Sequence, residues 1–238
     1  MTEKTVQLIQ QLSNIQDTLK IEYPTTSFRI DDNFQVFFNM KDLETSDFHN
    51  FTVYSASELM NCISALESPK IEFSEGSGND KYMIIESNTD VYNAKIKYLL
   101  SNENIIDDLH YSTTVNLEDY TDPIVAFPLS SNELSSLKAA AGVLYDKYDL
   151  VFEIDQNNIH IRVSKNAKIK DYTDFEISIR TDSTDSTNQD KQTFVMILDF
   201  IHKLPSDDYN VEIYNDKIIF RSEDSGYFTF VISVNKLG

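Results

Sequence analysis

The sequence predicts an α+β chain made of two similar halves, each with two helices on antiparallel sheets. Three observations lead there. The same order of helix and strand patterns runs through residues 5–100 and again through residues 131–235. Each half opens on apolar residues spaced by three and four, then alternates apolar with polar residues in short segments broken by Asp and Asn turns. The repeated unit, at roughly a hundred residues, far exceeds the ~20–50 of a solenoid repeat, so the halves read as two domains side by side. The reading divides the chain into a first domain over residues 1–108, a connector over 109–128 and a second domain over 129–238.

In the first half, Val6, Ile9, Leu12, Ile15 and Leu19 recur at helical spacing and predict a helix from about Thr5 to Lys20. Phe28-Arg29-Ile30 and Gln35-Val36-Phe37-Phe38 alternate as strands across an Asp32-Asn33 turn. Phe51-Thr52-Val53-Tyr54 leads into a second helix over Ser55–Leu66. Ser55 with Glu58 ahead of Leu59 makes a capping-box start, able to satisfy two orphan amide donors. Pro69 stops that helix, Lys70–Phe73 begins the closing strands, and Gly76 and Gly78 mark a hairpin turn.

The second half repeats the plan. Leu134, Leu137, Ala141, Leu144 and Tyr148 predict a third helix, opened by the capping-box pair Ser130 and Glu133. Leu150–Ile154 and Ile159–Val163 alternate as strands around a Gln156-Asn157-Asn158 turn. Phe194–Ile197 leads into a fourth helix over Leu198–Leu204 that Pro205 terminates, and Tyr209–Ile213 with Phe230–Val234 close the unit. Between the halves, an acidic stretch ending Pro123-Ile124-Val125-Ala126-Phe127-Pro128 reads as an extended strap over the surface. The Asp-, Ser- and Thr-rich segment Thr181–Gln192 reads as a surface excursion without chemistry.

Composition bounds the function. With 238 residues, 41% hydrophobic, including 13 Tyr and 15 Phe, the chain has material for one large core or two smaller ones. It contains no run of about 18 apolar residues, and Met1-Thr2-Glu3-Lys4 lacks a signal-peptide layout, so the expectation is a soluble protein inside a cell with no membrane partner. The one cysteine, Cys62, has no disulfide partner in the chain and reads as a small core residue of the second helix. A formal net charge of −19 repels nucleic acid and anionic membranes unless the few lysines gather on one face.

No catalytic constellation stands out, and no metal or cofactor is called for. Gly76 and Gly78 lack the third glycine and the following helix of a nucleotide fingerprint. His49, His110, His160 and His202 are scattered, and the pairs Asp31-Asp32, Asp107-Asp108 and Asp207-Asp208 fall in turns, where Asp is favoured for backbone reasons. Lys165, Lys168 and Lys170 read as solvated charge. Read this way, the chain is an interaction protein; a duplicated α+β binding module or inhibitor, or a hydrolase whose site no motif reveals, are the other classes it admits.

The order of elements, the duplication, the connector ending Pro123–Leu129, and the closing run from Phe194 through Leu204-Pro205, Tyr209 and Phe230–Val234 resemble the DNA sliding clamps of tailed phages, relatives of proliferating cell nuclear antigen. The resemblance covers nearly the whole chain. It implies a non-enzymatic processivity factor: a homotrimeric ring closed by sheet edges, encircling double-stranded DNA without reading sequence, and holding DNA polymerase and a clamp loader through short peptides. In such a ring the helices line the hole, which assigns Lys4, Lys20, Lys138, Lys147 and Lys203 to the DNA phosphates. Read from the residues alone, those lysines are solvated positions sharing their helices with Glu3, Asp17, Glu133, Asp146 and Asp149, and the second helix carries no basic residue at all. The resemblance also implies a partner-peptide groove beside the connector, at Ile124, Val125, Phe127, Pro128, Pro205, Tyr209 and Val234.

Overall fold

The computed structural model describes residues 3–22, 25–39, 50–76, 81–89, 92–101, 115–144, 149–155, 158–165, 167, 174–180, 191–223 and 227–237. The chain forms two compact units, one of Met1–Ile30 with Phe38–Thr113 and one of Asp31–Phe37 with Thr114–Gly238. Both units combine few helices with antiparallel strands, so the α+β class and the two-unit plan hold. Among the described residues, no helix is long and apolar enough to cross a membrane.

In the first unit the order is α1 (Glu3–Ile15), β1 (Leu19–Ile21), β2 (Thr25–Asp31), β3 (Phe34–Asn39, whose first part belongs to the second unit), β4 (Phe51–Val53), α2 (Ala56–Ser64), β5 (Lys70–Glu75), β6 (Lys81–Asn88) and β7 (Asn93–Leu99). Leu8, Ile9, Leu12 and Ile15 are buried along α1, one apolar stripe at the expected spacing. The helix stops at Ile15, short of the Lys20 that periodicity suggested. The reason is Asp17. Its carbonyl accepts from Ala56 N (2.7 Å) and its Oδ1 from Ser57 N (2.8 Å), so this residue leaves α1 to cap α2. The Ser57 amide chiefly holds the Asp17 carboxyl below the usual carboxylate range, against an opposing effect of burial. Leu19 and Ile21 then alternate into β1 against Val53 and Phe51 of β4, which places Lys20 on a strand.

Ser55 caps α2 by accepting from Glu58 N at 3.2 Å, and Ala56, Leu59, Met60 and Ile63 are the buried face. Cys62 is half-buried at the margin of that face, so it is not the core residue expected; burial first, then the Glu58 charge, push its thiol pKa up. Strands β5, β6 and β7 form a meander in that order, with Met83, Ile85 and Ser87 of β6 pointing inward. Glu75 pairs with Lys81 where the glycine hairpin was expected; residues 77–80 lie outside the described residues. A Cβ added to Gly76 would meet the Tyr82 ring at 2.4 Å, which explains the glycine there.

The second unit contains β8 (Val125–Leu129), α3 (Ser131–Val143), β9 (Asp149–Asp155), β10 (Asn158–Ser164), β11 (Phe175–Arg180), β12 (Gln192–Ile197), a 3-10 helix (Leu198–Lys203), β13 (Tyr209–Ile213), β14 (Lys217–Ser222), β15 (Phe228–Ser233) and β16 (Asn235–Leu237). One sheet has the order β11-β10-β9-β12-β16, and within this unit the strands β3-β15-β14-β13-β8 form the other. Rings fill the space behind the latter: Phe34 lies 4.9 Å from Phe200, and Tyr209 meets Phe220 and Phe230 edge-on at 6.2 and 6.1 Å. The expected turn at 156–157 and the loop at 181–190 lie outside the described residues.

Both halves of the predicted capping box open α3. Glu133 Oε2 accepts from Ser130 N at 2.8 Å, and Ser130 Oγ accepts from Glu133 N at 3.3 Å. Asp208 Oδ1 accepts from Ser131 N at 2.6 Å, and Asp207 Oδ1 accepts from Asp208 N at 2.8 Å, so this turn pair serves the backbone as expected. Leu134, Leu137 and Ala141 are buried, while Leu144 leaves the helical conformation at ψ 58° and caps it. Gly142 in the last turn has open space where a Cβ would sit. Gly142→Ala is therefore expected to stabilise the unit by about 0.5–1 kcal/mol, read as a shift of the urea midpoint at unchanged slope.

The predicted fourth helix is a 3-10 turn of six residues. Ile197 offers no side-chain cap, and Pro205 closes the segment before an α-helix can propagate. Spacing by three suits this geometry: Leu198, Ile201 and Leu204 are all buried on one side.

Candidate functional site

Two places in the molecule concern the expected functions: the connector with the sheet beneath it, and the exposed faces of the helices. The connector is described from Val115 onward. Asn116 Oδ1 accepts from Glu118 N at 3.3 Å and caps a 3-10 turn over Leu117–Asp119. Val115, Leu117 and Tyr120, with Phe37, pack on a buried cluster of Tyr214, Ile219 and Val231 from the outer side of the β13-β14-β15 sheet. Tyr120 meets the Tyr214 ring edge-on at 5.0 Å, and Tyr214 donates its hydroxyl hydrogen bond to the Tyr120 carbonyl at 3.0 Å. The strap is thus held by three apolar side chains and one tyrosine latch.

Burial first, then the Glu212 charge, push the Tyr214 pKa up to about 12. A raised acid is stabilising in its protonated form, so this contribution is complete below pH ~10, the ordinary tyrosine value, and is lost as pH rises through about 12. Tyr214→Phe is expected to cost about 1 kcal/mol, to remove one late-ionising tyrosine from the absorbance titration, and to raise protease cleavage within 115–124 at pH 8.

The predicted groove residues separate into two groups. Ile124 N donates to Ile213 O at 2.8 Å, Val125 pairs with Ile213, and Val234 N donates to Asp216 O at 3.0 Å, so these three gather at the β13–β14 turn. Pro128 pairs with Asn210, and Tyr209 donates through its hydroxyl to the Pro205 carbonyl at 2.9 Å, at the other end of β13. Four residue steps of strand, roughly 13 Å, separate the groups. Phe127 and Tyr209 are buried, at 1% and 0% exposure, and belong to the core. Ile124, Val125, Pro205 and Val234 are half-buried and Pro128 is exposed. Val234 also lines a cavity of about 130 Å³ with Val195, Met196 and Ile197. The strap anchors Val115, Leu117 and Tyr120 were missed, although Val115 and Leu117 show the signal: alternate apolar residues inside an acidic stretch.

The predicted lysines also diverge. Lys4 is in the first turn of α1. Lys20 is on β1, paired with Glu22 at 3.0 Å. Lys138 is half-buried on α3 and donates to the carbonyl of Leu204, which ties α3 to the end of the 3-10 helix; burial lowers its pKa. Lys203 is the last residue of the 3-10 helix, and Lys147 lies outside the described residues. Of the histidines, His49 and His110 lie outside the described residues, His202 is exposed, and His160 Nδ1 sits 2.8 Å from Ser178 Oγ and 3.1 Å from Glu176 Oε1.

Among the described residues, the exposed positions are Gln7, Gln10 and Asn14 on α1 and Asn132, Ser135, Ser136, Ala139, Gly142 and Val143 on α3, none of them charged. Ser135 and Ser136 donate back to the carbonyls of Ser131 (2.7 Å) and Asn132 (3.0 Å), as Ser13 does to Gln10 (2.7 Å).

No family model matches the sequence, nor does any curated protein. Among solved structures, the chain is similar to the proliferating cellular nuclear antigen of Entamoeba histolytica, with 12% identity and a TM-score of 0.63 over 97% of this chain and 96% of that one. It is similar to the corresponding antigen of Thermococcus kodakaraensis, with 10% identity and a TM-score of 0.59 over 98% and 96%. It is also similar to the DNA polymerase III subunit beta of Pseudomonas aeruginosa, with 12% identity and a TM-score of 0.61 over 98% of this chain, but it spans 63% of the length of that one. The fold is that of the DNA sliding clamps.

Proposed function

We propose that this chain is a sliding clamp: three copies close into a ring around double-stranded DNA and tether a DNA polymerase, with no chemistry of their own. The observation that carries the proposal is the correspondence of the two-unit fold along 97% of this chain and 96% of a nuclear antigen chain. A two-unit chain needs three copies to make a ring of six units, and pairing of sheet edges closes it without leaving an edge exposed. β11 and β8 are edge strands available for such pairing. Topological enclosure then replaces affinity, which suits a chain of net charge −19 that would otherwise avoid nucleic acid.

The half-buried Ile124, Val125 and Val234, beside the latched strap, make the better end of the groove for a partner peptide, since anchor side chains need a partly open apolar surface. The polymerase and the clamp loader would dock there in turn.

The test is a mass measurement followed by an enclosure assay. Light scattering should give a particle of three times the 27.4 kDa chain mass. Chains dissociated by dilution and reconcentrated with a nicked circular plasmid should co-elute with it and be released when the plasmid is cut. A persistent monomer, or equal retention on the cut plasmid, would sink the proposal.

A further inference from the structure

We infer that the connector segment Val115–Tyr120 is a self-docked occupant of the β13-β14-β15 sheet, which has to lift before any partner peptide can dock there. The inference adds a regulation to the groove reading under the proposed function, and it rests on that reading only for the identity of the competitor.

The sheet carries apolar residues where a wet face is expected. Glu212, Ile219 and Val231 stand side by side across β13, β14 and β15. Alternation puts them on the face opposite Val211, Phe220 and Phe230, which are fully buried in the core. The same outer face carries Arg221 and Thr229, the residue types that suit contact with water. Ile219 and Val231 are nevertheless 0% and 2% exposed. The side chains packed against them and Tyr214 are Val115, Leu117 and Tyr120 of the connector, with Phe37 of β3. Lifting the connector uncovers an aromatic and aliphatic patch, the kind of surface that anchors a peptide.

The connector fits that patch as a peptide ligand would. Asn116 caps a 3-10 turn over Leu117–Asp119, and a period of three puts Leu117 and Tyr120 on one side. Asn116, Glu118 and Asp119 are exposed. The attachment is light. The turn bonds to itself, Asp119 N donating to Asn116 O at 3.1 Å and Tyr120 N to Leu117 O at 3.3 Å. Main-chain pairing with the sheet begins at Ile124, and the sheet reaches the turn through the Tyr214 hydroxyl, which donates to the Tyr120 carbonyl. A segment held by side chains rather than by a strand ladder opens at a fraction of the cost of global unfolding. A partner then competes with a tethered occupant, and its apparent affinity is its intrinsic affinity multiplied by the open fraction.

The test is thiol labelling of the covered face in the full chain, with Cys62→Ser removing the native thiol. Val231→Cys places a reporter under the connector, and Ile219→Cys supplies a second should the first fail to fold. With an open fraction of roughly 0.1–10%, labelling by an aromatic disulfide reagent is expected to run about 10–1,000-fold slower than for a free thiol, yet faster than global unfolding allows. Leu117→Ser with Tyr120→Ser should remove most of that protection. In this released chain a synthetic peptide of residues 115–122, at the millimolar concentration that a short tether provides, should restore protection. The same peptide should leave the chain with an intact connector unchanged. Labelling of the intact chain at the free rate, or only at the rate of global unfolding, overturns the inference. So does a released chain that stays protected, or one that the peptide does not protect. Circular dichroism of each variant confirms the fold. The labelling uses neither DNA nor a second protein, so it is decided apart from the plasmid assay above. Equal retention on cut plasmid with labelling as expected removes the ring and keeps the self-docked connector; the reverse pattern keeps the ring and removes the connector's role.

Discussion

Phe127→Ala is expected to destabilise the second unit by about 3–5 kcal/mol, and Phe127→Asp to abolish its cooperative fold. Phe127 lies on β8 at 1% exposure, opposite Val211 at 0%, with Leu129 also buried on the same face. The intervening Ala126 and Pro128 are exposed, the period-two pattern of a strand with one wet face. Pro128 lacks an amide hydrogen, which an edge strand tolerates, and β8 is the edge of its sheet. Against a total stability of ~5–15 kcal/mol, the loss removes much of the margin for this unit. Urea unfolding followed by tyrosine fluorescence, with 13 tyrosines and no tryptophan in the chain, reads it directly. The functional consequence is a distinction. Val125→Asp, at a half-buried position, should weaken partner-peptide binding with the fold kept, whereas a Phe127 variant should lose binding only because the sheet is lost. A folded Phe127→Asp chain with a vacant groove would return Phe127 to the docking surface.

The burial of Phe127 shows which information a sequence carries and which it does not. Local signals survived: the stripe Ile9, Leu12 and Ile15, the Ser130–Glu133 capping box, and the Asp31–Asn33 turn, where Asp31 Oδ1 accepts from Asn33 N at 2.6 Å. Each depends on residues within four of one another. What failed depends on distant partners. Leu19 continued the helical spacing of α1, but Asp17 is drawn 40 residues along the chain to the start of α2, and Leu19 follows it into a strand. Lys138 looked like a solvated helix lysine, and its acceptor is a carbonyl 66 residues away. Phe127 looks like an exposed strap residue, and Tyr209, at the start of a closing strand, like a groove residue, because the pairing of β8 with β13 is invisible until the sheet is assembled. The 3-10 helix was the exception, since Leu198, Ile201 and Leu204 already repeat every three residues ahead of Pro205.

Arg162→Ala is expected to cost about 3–5 kcal/mol, because it leaves the buried Asp174 carboxylate without its counter-charge. Arg162 is 2% exposed on β10, and its guanidinium joins β9 and β10 to the residue just before β11. Nη1 donates to Asp174 Oδ2 at 2.6 Å and Ser164 Oγ at 2.8 Å; Nη2 donates to Glu153 Oε1 at 3.1 Å and the Ala167 carbonyl at 3.2 Å. The Asp174 side chain is itself 2% exposed, so water cannot replace the lost partner. Arg162→Lys should recover little, since an ammonium cannot reproduce the planar fork that reaches both carboxylates. Removing Asp174 as well should restore part of the loss, and the size of that restoration measures the coupling. The pH dependence follows from Glu153. Burial raises its pKa, but hydrogen bonds from Lys191 and Arg162 outweigh burial and leave it lowered. A lowered carboxylate stabilises above its unfolded value, near 4.5, and that contribution is lost as pH falls through the folded value. With Arg162 gone the opposing burial remains, so the acid loss of stability should begin at higher pH than in the unaltered protein, as thermal melts between pH 3 and 7 would show. β11, which pairs with β10 over Asn158–Val163, is an edge strand. If this edge joins neighbouring copies, Arg162→Ala should also lower the mass in solution below that of three chains. A variant that keeps both its melting temperature and its acid limit would mean that the network is dispensable to the strand pairing it spans.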